Sequence, residues 1–256
     1  MSEISYRPRT IAELVDAGIQ LFRRTYRELI AITAIGYVPW IAASTLFERV
    51  WVAPGSTDPD ALFAPIGSLL LTALGGIWFA VVSAGCVVVA SDAYLGQEPE
   101  IGGAIRRAFR RGWPIIATSL ITWLLAALGL ILLIVPGLYI FARFALSPAI
   151  ALLEERSTGA SLDRASELSR EKKLHILGAL GAAWLIYLAV AVTVGLIVGA
   201  TGQMALAPVA EAIVSIGISP LVAVVTTVLY YDLRIRAEGF DVELLERQLQ
   251  ADPAAL

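Results

Sequence analysis

Hydrophobic positions in this chain fill long uncharged runs, separated by short segments in which charge returns at helical spacing. The clearest runs cover residues 29–47, 66–91, 113–134, 174–199 and 213–231, with a shorter one at 138–153. A helix needs about twenty apolar residues to cross roughly 30 Å of hydrocarbon, so each run predicts a transmembrane span. The third and fourth runs are separated by "IVPG", where Pro136 removes a backbone donor and Gly137 permits a tight reversal. A single helix over 113–153 would be about twice what a bilayer requires, so a hairpin is expected.

The charged segments carry their own pattern. Residues 10–28 open on a capping box, Thr10 with Glu13, and place Ile11, Leu14, Val15, Gly18, Phe22 and Tyr26 on one face. Residues 99–112 set Ile101, Ile105, Ala108 and Phe109, with Trp113 beyond, against a basic patch of Arg106, Arg107, Arg110 and Arg111. Residues 158–172 repeat Leu162, Ala165 and Leu168 with mixed charge. All three share an L/I-x-x-A step, and each precedes a pair of runs. This suggests three units, each an interfacial helix followed by a transmembrane hairpin. Basic loops and helical periodicity would produce the same likeness unaided. The expected architecture is all-α: one integral membrane domain over 1–256, with six transmembrane helices in three hairpins. Each hairpin is preceded by a cytoplasmic amphipathic interfacial helix, and 232–256 forms a cytoplasmic tail.

Composition agrees: 58% of the residues are hydrophobic, 16% are charged and the mean hydropathy is +0.76. Soluble domains average about 45–50% apolar and about 25% charged. The start has no apolar h-region, so no cleavable signal peptide is expected. Cys86 is the single cysteine, which excludes an intramolecular disulfide and a CxxC metal site. Net charge is −3, and nothing points to nucleic acid. All 19 basic residues except Arg49 and Arg143 fall before span one, between spans two and three, between four and five, or after six. By the positive-inside rule those segments and both termini are cytoplasmic. Arginines on an amphipathic helix there would meet anionic lipid, at about 1 kcal/mol per charge.

Candidate chemistry is sparse. No GxSxG, HExxH or phosphate-binding loop occurs, so no catalytic residue, metal site or cofactor is expected. His175 at the edge of span five reads as an interfacial residue. The small-xxx-small steps at Gly178–Ala182 and Ala191–Gly195–Gly199 read as helix packing. Pro39, Pro148 and Pro220 each remove one helical hydrogen bond; their kinks serve packing or open a cavity. Arg143 follows about thirty uncharged residues, and an intramembrane cation is costly. It has two possible placements. In one it is a structural tie, to carbonyls near "IVPG" or to Glu211. In the other it forms an anion or lipid-headgroup site with Ser147 and Pro148, since a guanidinium fork suits phosphate. The exit motif Tyr231, Asp232, Arg234, Arg236 and Gly239 reads as an electrostatic stop with a glycine cap. An amphipathic helix over 240–249 follows it and is suited to dock on the three interfacial helices or on a partner protein.

Two stretches carry a family resemblance. "LYYDLRIRAEGFDVELLE" after span six and "VPGLYIFARFALSPAIALLEERS" in the middle resemble the membrane domain found before the catalytic barrel of some glycerophosphoryl diester phosphodiesterases. The likeness covers most of the chain from Trp113 onward. It implies an all-helical domain of the bacterial inner membrane, mostly without assigned activity. A phosphodiesterase of that kind needs a separate barrel of about 250 residues carrying histidines and metal-binding carboxylates. This sequence has one histidine, so the activity is not carried over. The expected function is non-enzymatic: a protein of the cytoplasmic membrane that organises lipid or a partner complex. The alternative is a transporter or lipid translocase for an anionic substrate with Arg143 in its path.

Overall fold

Thr10 accepts the Glu13 backbone N–H while the Glu13 carboxylate accepts the Thr10 backbone N–H, and this reciprocal cap starts the first helix. The structure is a computed structural model that describes residues 9–51, 64–203 and 206–238. Gly239 and the helix expected over 240–249 lie outside the described residues. Eleven helices and no strand occur among the described residues. They are α1 (Ile11–Arg24), α2 (Tyr26–Trp51), α3 (Ala64–Tyr94), α4 (Ile101–Arg110), α5 (Gly112–Leu132), α6 (Ile134–Phe144), α7 (Ser147–Leu153), α8 (Thr158–Leu168), α9 (Lys173–Thr201), α10 (Ala207–Ile218) and α11 (Pro220–Glu238).

Six stretches are long and apolar enough to cross a membrane: Tyr26–Phe47, Ile66–Tyr94, Gly112–Ile131, Ile134–Leu153, Lys173–Thr201 and Ala207–Glu238. Such a set suits a multi-pass membrane protein. The fourth comprises α6 and α7, and the sixth comprises α10 and α11. Helix α11 is the centre of the molecule. Val224, Val225, Val228, Leu229 and Leu233 are fully or almost fully buried, against α1, α3 and α9. Helix α9 lies at the rim and exposes Leu185, Leu188, Val192, Leu196 and Ile197.

The three short charged helices pack on the bundle through small or branched side chains. In α1, Leu14, Gly18, Leu21 and Phe22 are buried; a Cβ on Gly18 would meet Val225 of α11 at 2.7 Å. Ala104 and Ala108 of α4 are buried, whereas Phe109 and Trp113 are exposed. In α8, Ser161, Ala165 and Leu168 are buried. The shared L/I-x-x-A step therefore differs in register. Its leucine is buried in α1, and its alanine is buried in α4 and α8.

The reversal between the third and fourth stretches falls at Leu133, which is extended (φ −164°, ψ 149°), and not at Pro136–Gly137. Both of those residues lie inside α6. Gly137 serves contact instead: a Cβ there would come within 2.6 Å of the Leu130 backbone nitrogen, and one on Gly129 within 2.7 Å of the Gly137 Cα. The pair lets α5 and α6 touch backbone to backbone.

Each chain break at a proline is repaired by a neighbour. Pro148 has no N–H for the Phe144 carbonyl four residues earlier. That carbonyl accepts the Ser147 hydroxyl at 2.8 Å and the Thr122 hydroxyl of α5 at 3.3 Å. Pro220 likewise leaves the Ile216 carbonyl free, and the Thr33 hydroxyl of α2 lies 3.1 Å from it, sharing its one hydrogen with the Leu29 carbonyl of its own helix at 2.8 Å. The kinks at α6–α7 and α10–α11 are thus tied sideways to other helices. Thr33 is 2% exposed, so water cannot replace its hydroxyl. Thr33→Val keeps the shape and removes the donor. It should cost about 0.6 kcal/mol, the average for interhelical hydrogen bonds in a membrane bundle. Thermal unfolding in detergent measures this, with the exposed Thr72→Val as the neutral reference.

Candidate functional site

The charges gather at one end of the bundle, where α1, α4 and α8 meet the start of α9, the end of α3 and the last turns of α11. The exit motif forms the hub. Tyr231 stacks on Tyr94 (ring centroids 4.6 Å apart, planes 3° apart), and its hydroxyl lies 2.7 Å from the Ser91 hydroxyl. Asp232 is 1% exposed. Its carboxylate accepts the Arg9 backbone N–H at 2.7 Å and the Arg236 Nε–H at 2.7 Å, and lies 3.2 Å from His175 Nε2. Arg236 also donates to the Arg9 carbonyl. The motif is therefore no free tail: through Glu238 it is helix, and Asp232 clamps the segment before α1 to α11 and α9.

A second knot surrounds Glu154, just past α7. It accepts the Tyr230 hydroxyl at 3.0 Å and Arg156 at 2.6 Å, and Arg164 lies 3.4 Å away. Arg164 also pairs with Glu167 and Glu238, and Arg234 with Glu238. Next in the chain, Glu155 adopts a left-handed backbone (φ 53°), at some steric cost for a residue with a Cβ. The turn presents its carboxylate to Arg111 at 2.6 Å and Arg110 at 3.0 Å. The Arg111 hydrogen bond and charge hold its carboxyl below the usual carboxylate range.

The basic patch at 106–111 is thereby half neutralised, four arginines against the two carboxylates of Asp92 and Glu155. Arg107 pairs with Asp92 at 3.1 Å, Arg110 and Arg111 share Glu155, and Arg106 is exposed with no acidic partner among the described residues. Spacing alone could not reveal this, because the acids come from α3 and from the turn after α7.

Arg143, Ser147 and Pro148 do not converge. Ser147 is fully buried and faces Thr122, 3.0 Å away, while Arg143 is exposed. The chain breaks at Ala145–Leu146, so the two side chains do not share one helical face. Arg143 donates through Nε to Ser166 of α8 at 2.8 Å, and its carbonyl accepts the Ser169 hydroxyl at 3.2 Å. Neither Glu211 nor the carbonyls around "IVPG" are its partners. One turn back on α6, Tyr139 lies under Lys173 of α9, with Nζ 4.7 Å from the ring centroid. Arg143 and Lys173 have no carboxylate partner among the described residues. They stand on an α6–α9 seam flanked by Tyr139 (51% exposed) and Leu174 (83% exposed).

Pro148 lines a cleft of about 150 Å³ between α3, α5, α7, α9 and α11, walled chiefly by apolar groups such as Phe79, Trp123 and Trp184. Arg143 lies outside it. No group of three or more His, Cys, Asp or Glu side chains is arranged to hold a metal ion among the described residues. Comparison of the chain with protein-family models, with curated proteins and with solved structures gave no match, so the functional reading rests on this geometry.

Proposed function

We propose that this chain is a non-enzymatic, multi-pass protein of a bacterial inner membrane that organises anionic lipid or a partner complex. In this reading the six apolar stretches form three hairpins, and α1, α4 and α8 are interfacial helices of a cytoplasmic collar. Asp92, Glu154, Glu155 and Asp232 are held in internal ion pairs, and in this reading Arg106, Arg143 and Lys173, unpaired among the described residues, face the headgroup layer.

The observation that carries the reading is the α6–α9 seam. Ser166 fixes the Arg143 Nε and the guanidinium lies over the Phe144 ring, 5.1 Å from its centroid, while its two terminal nitrogens have no hydrogen-bond partner among the described residues. Lys173 stands over Tyr139, and exposed apolar surface continues along both helices. A phosphate would meet two cations there while acyl chains lie against Leu138 and Leu174. Arg143 itself lines none of the clefts described, although Phe141 and Ala145 on either side of it line the first, and its exposed position favours lipid contact over a translocation path.

The test is thermal unfolding of the detergent-purified chain with added phosphatidylglycerol or phosphatidylcholine. Phosphatidylglycerol should raise the melting temperature more than phosphatidylcholine. That difference should vanish in the Arg143→Leu, Lys173→Leu double variant while the lipid-free protein still folds. Equal responses to both lipids, or an unchanged difference in the double variant, would remove the proposal.

A further inference from the structure

At the end of the bundle away from the charged collar, α2, α3 and α10 enclose a cleft of about 420 Å³. That is within the usual size range of small-molecule sites. Glu211 lines it from the second turn of α10, inside an apolar spanning stretch, and no cationic side chain pairs with it among the described residues. Glu211 is exposed and stands four residues inside the end of that stretch, so its carboxylate is open to a ligand entering from that end of the bundle. Tyr37 and Trp40 of α2 bring two aromatic rings to the same cleft. Gly75 of α3 makes room for the indole: a Cβ there would lie 2.8 Å from Trp40 Cζ2.

The hydroxyls decide the sign of the ligand. Thr45 donates to the Ile41 carbonyl and Thr72 to the Ser68 carbonyl, each at 2.8 Å. Their hydrogens are spent on their own helices, which leaves oxygen lone pairs toward the cleft. The lining therefore offers a carboxylate, two aromatic side chains and the oxygens of hydroxyls already donating within their helices. This suits a cation and repels an anion.

We propose that this cleft binds a compact ammonium group, with Glu211 as its counter-charge and Trp40 and Tyr37 as its π faces. The ammonium belongs either to a soluble amine or to the headgroup of a choline- or ethanolamine-bearing lipid. The site is separate from the collar, so its fate does not depend on the anionic-lipid reading.

Isothermal titration calorimetry on the full detergent-purified chain tests it. Tetramethylammonium chloride should give saturable binding, and tert-butanol, a neutral molecule of similar shape, should give none. Glu211→Gln should weaken Kd by about tenfold or more, and Trp40→Leu should weaken it independently, guarding against a folding defect in either variant. A parallel titration with short-chain phosphatidylcholine and phosphatidylglycerol separates the sources. Glu211-dependent binding of phosphatidylcholine without response to the soluble salt assigns the headgroup; response to the salt assigns a soluble amine. The proposal fails if neither ligand binds, if tert-butanol matches tetramethylammonium, or if both variants bind like the wild type.

Discussion

Asp232→Ala is expected to lower the melting temperature of the detergent-purified protein by about 10 °C, the equivalent of about 3 kcal/mol. The magnitude follows from what the alanine strands. The Asp232 side chain is wholly inaccessible, and it serves the Arg9 backbone N–H, the Arg236 guanidinium and the His175 ring together. Removing one partner of a buried pair costs about 3–5 kcal/mol, and the lower end applies because Arg236 keeps 25% of its side chain in contact with solvent. The comparison is Glu155→Ala, whose pairs with Arg110 and Arg111 are exposed. It should change stability by no more than about 1 kcal/mol, as surface pairs do. If the two variants melt alike, Asp232 is no hub. Limited proteolysis adds a readout: in Asp232→Ala, cleavage should appear first near Arg9, where the clamp is lost.

Gly137→Ala is expected to be the most damaging single methyl addition among the described residues, at about 3 kcal/mol. Most of the crowded glycines face side chains that can turn aside. Gly137 faces the backbone nitrogen of Leu130 at 2.6 Å, so α5 and α6 must separate along their contact. Gly181→Ala in α9 meets nothing within 4 Å and should be neutral or slightly stabilising, since alanine is the better helix former by up to about 1 kcal/mol. Thermal unfolding of the two variants side by side decides the matter. An unchanged Gly137→Ala would mean that the α5–α6 contact is looser than the structure has it.

The long runs were legible because apolar length is written locally. All six predicted spans correspond to apolar helical stretches, with ends shifted by several residues. The Leu133 turn was not legible, since Leu132, Leu133, Ile134 and Val135 form an unbroken apolar string with no polar punctuation. Pro136 and Gly137 drew the reversal toward themselves, although each is at home within the first turns of a helix packed closely on its neighbour. The surroundings of Arg143 were not legible because residues 138–153 do not form one straight helix. The break at Ala145–Leu146 and the packing of α8 beside α6 bring Ser166 to it. The ion-pair hub was hidden for another reason. Its partners are distant in sequence, Arg9 from Asp232 and Tyr230 from Glu154, and no spacing rule links them. Glu211 was noticed only as a possible partner for Arg143; that Tyr37, Trp40 and Gly75 come together around it depends on α2, α3 and α10 meeting.

The Arg9–Asp232 clamp also sets a timetable. The two residues are 223 positions apart, so Arg9 emerges from the ribosome long before the carboxylate that will hold it exists. Until α11 is synthesised, α1 lacks the Val225 surface against Gly18. Early helices must therefore wait in the insertion machinery or the lipid with their docking faces unfilled. The arrival of α11 completes the Asp232 clamp late, after the Arg107–Asp92 and Glu155 pairs have all their residues in place. A stalled nascent chain ending before residue 220 should remain protease-sensitive at α1 even though most of its spans are already in place.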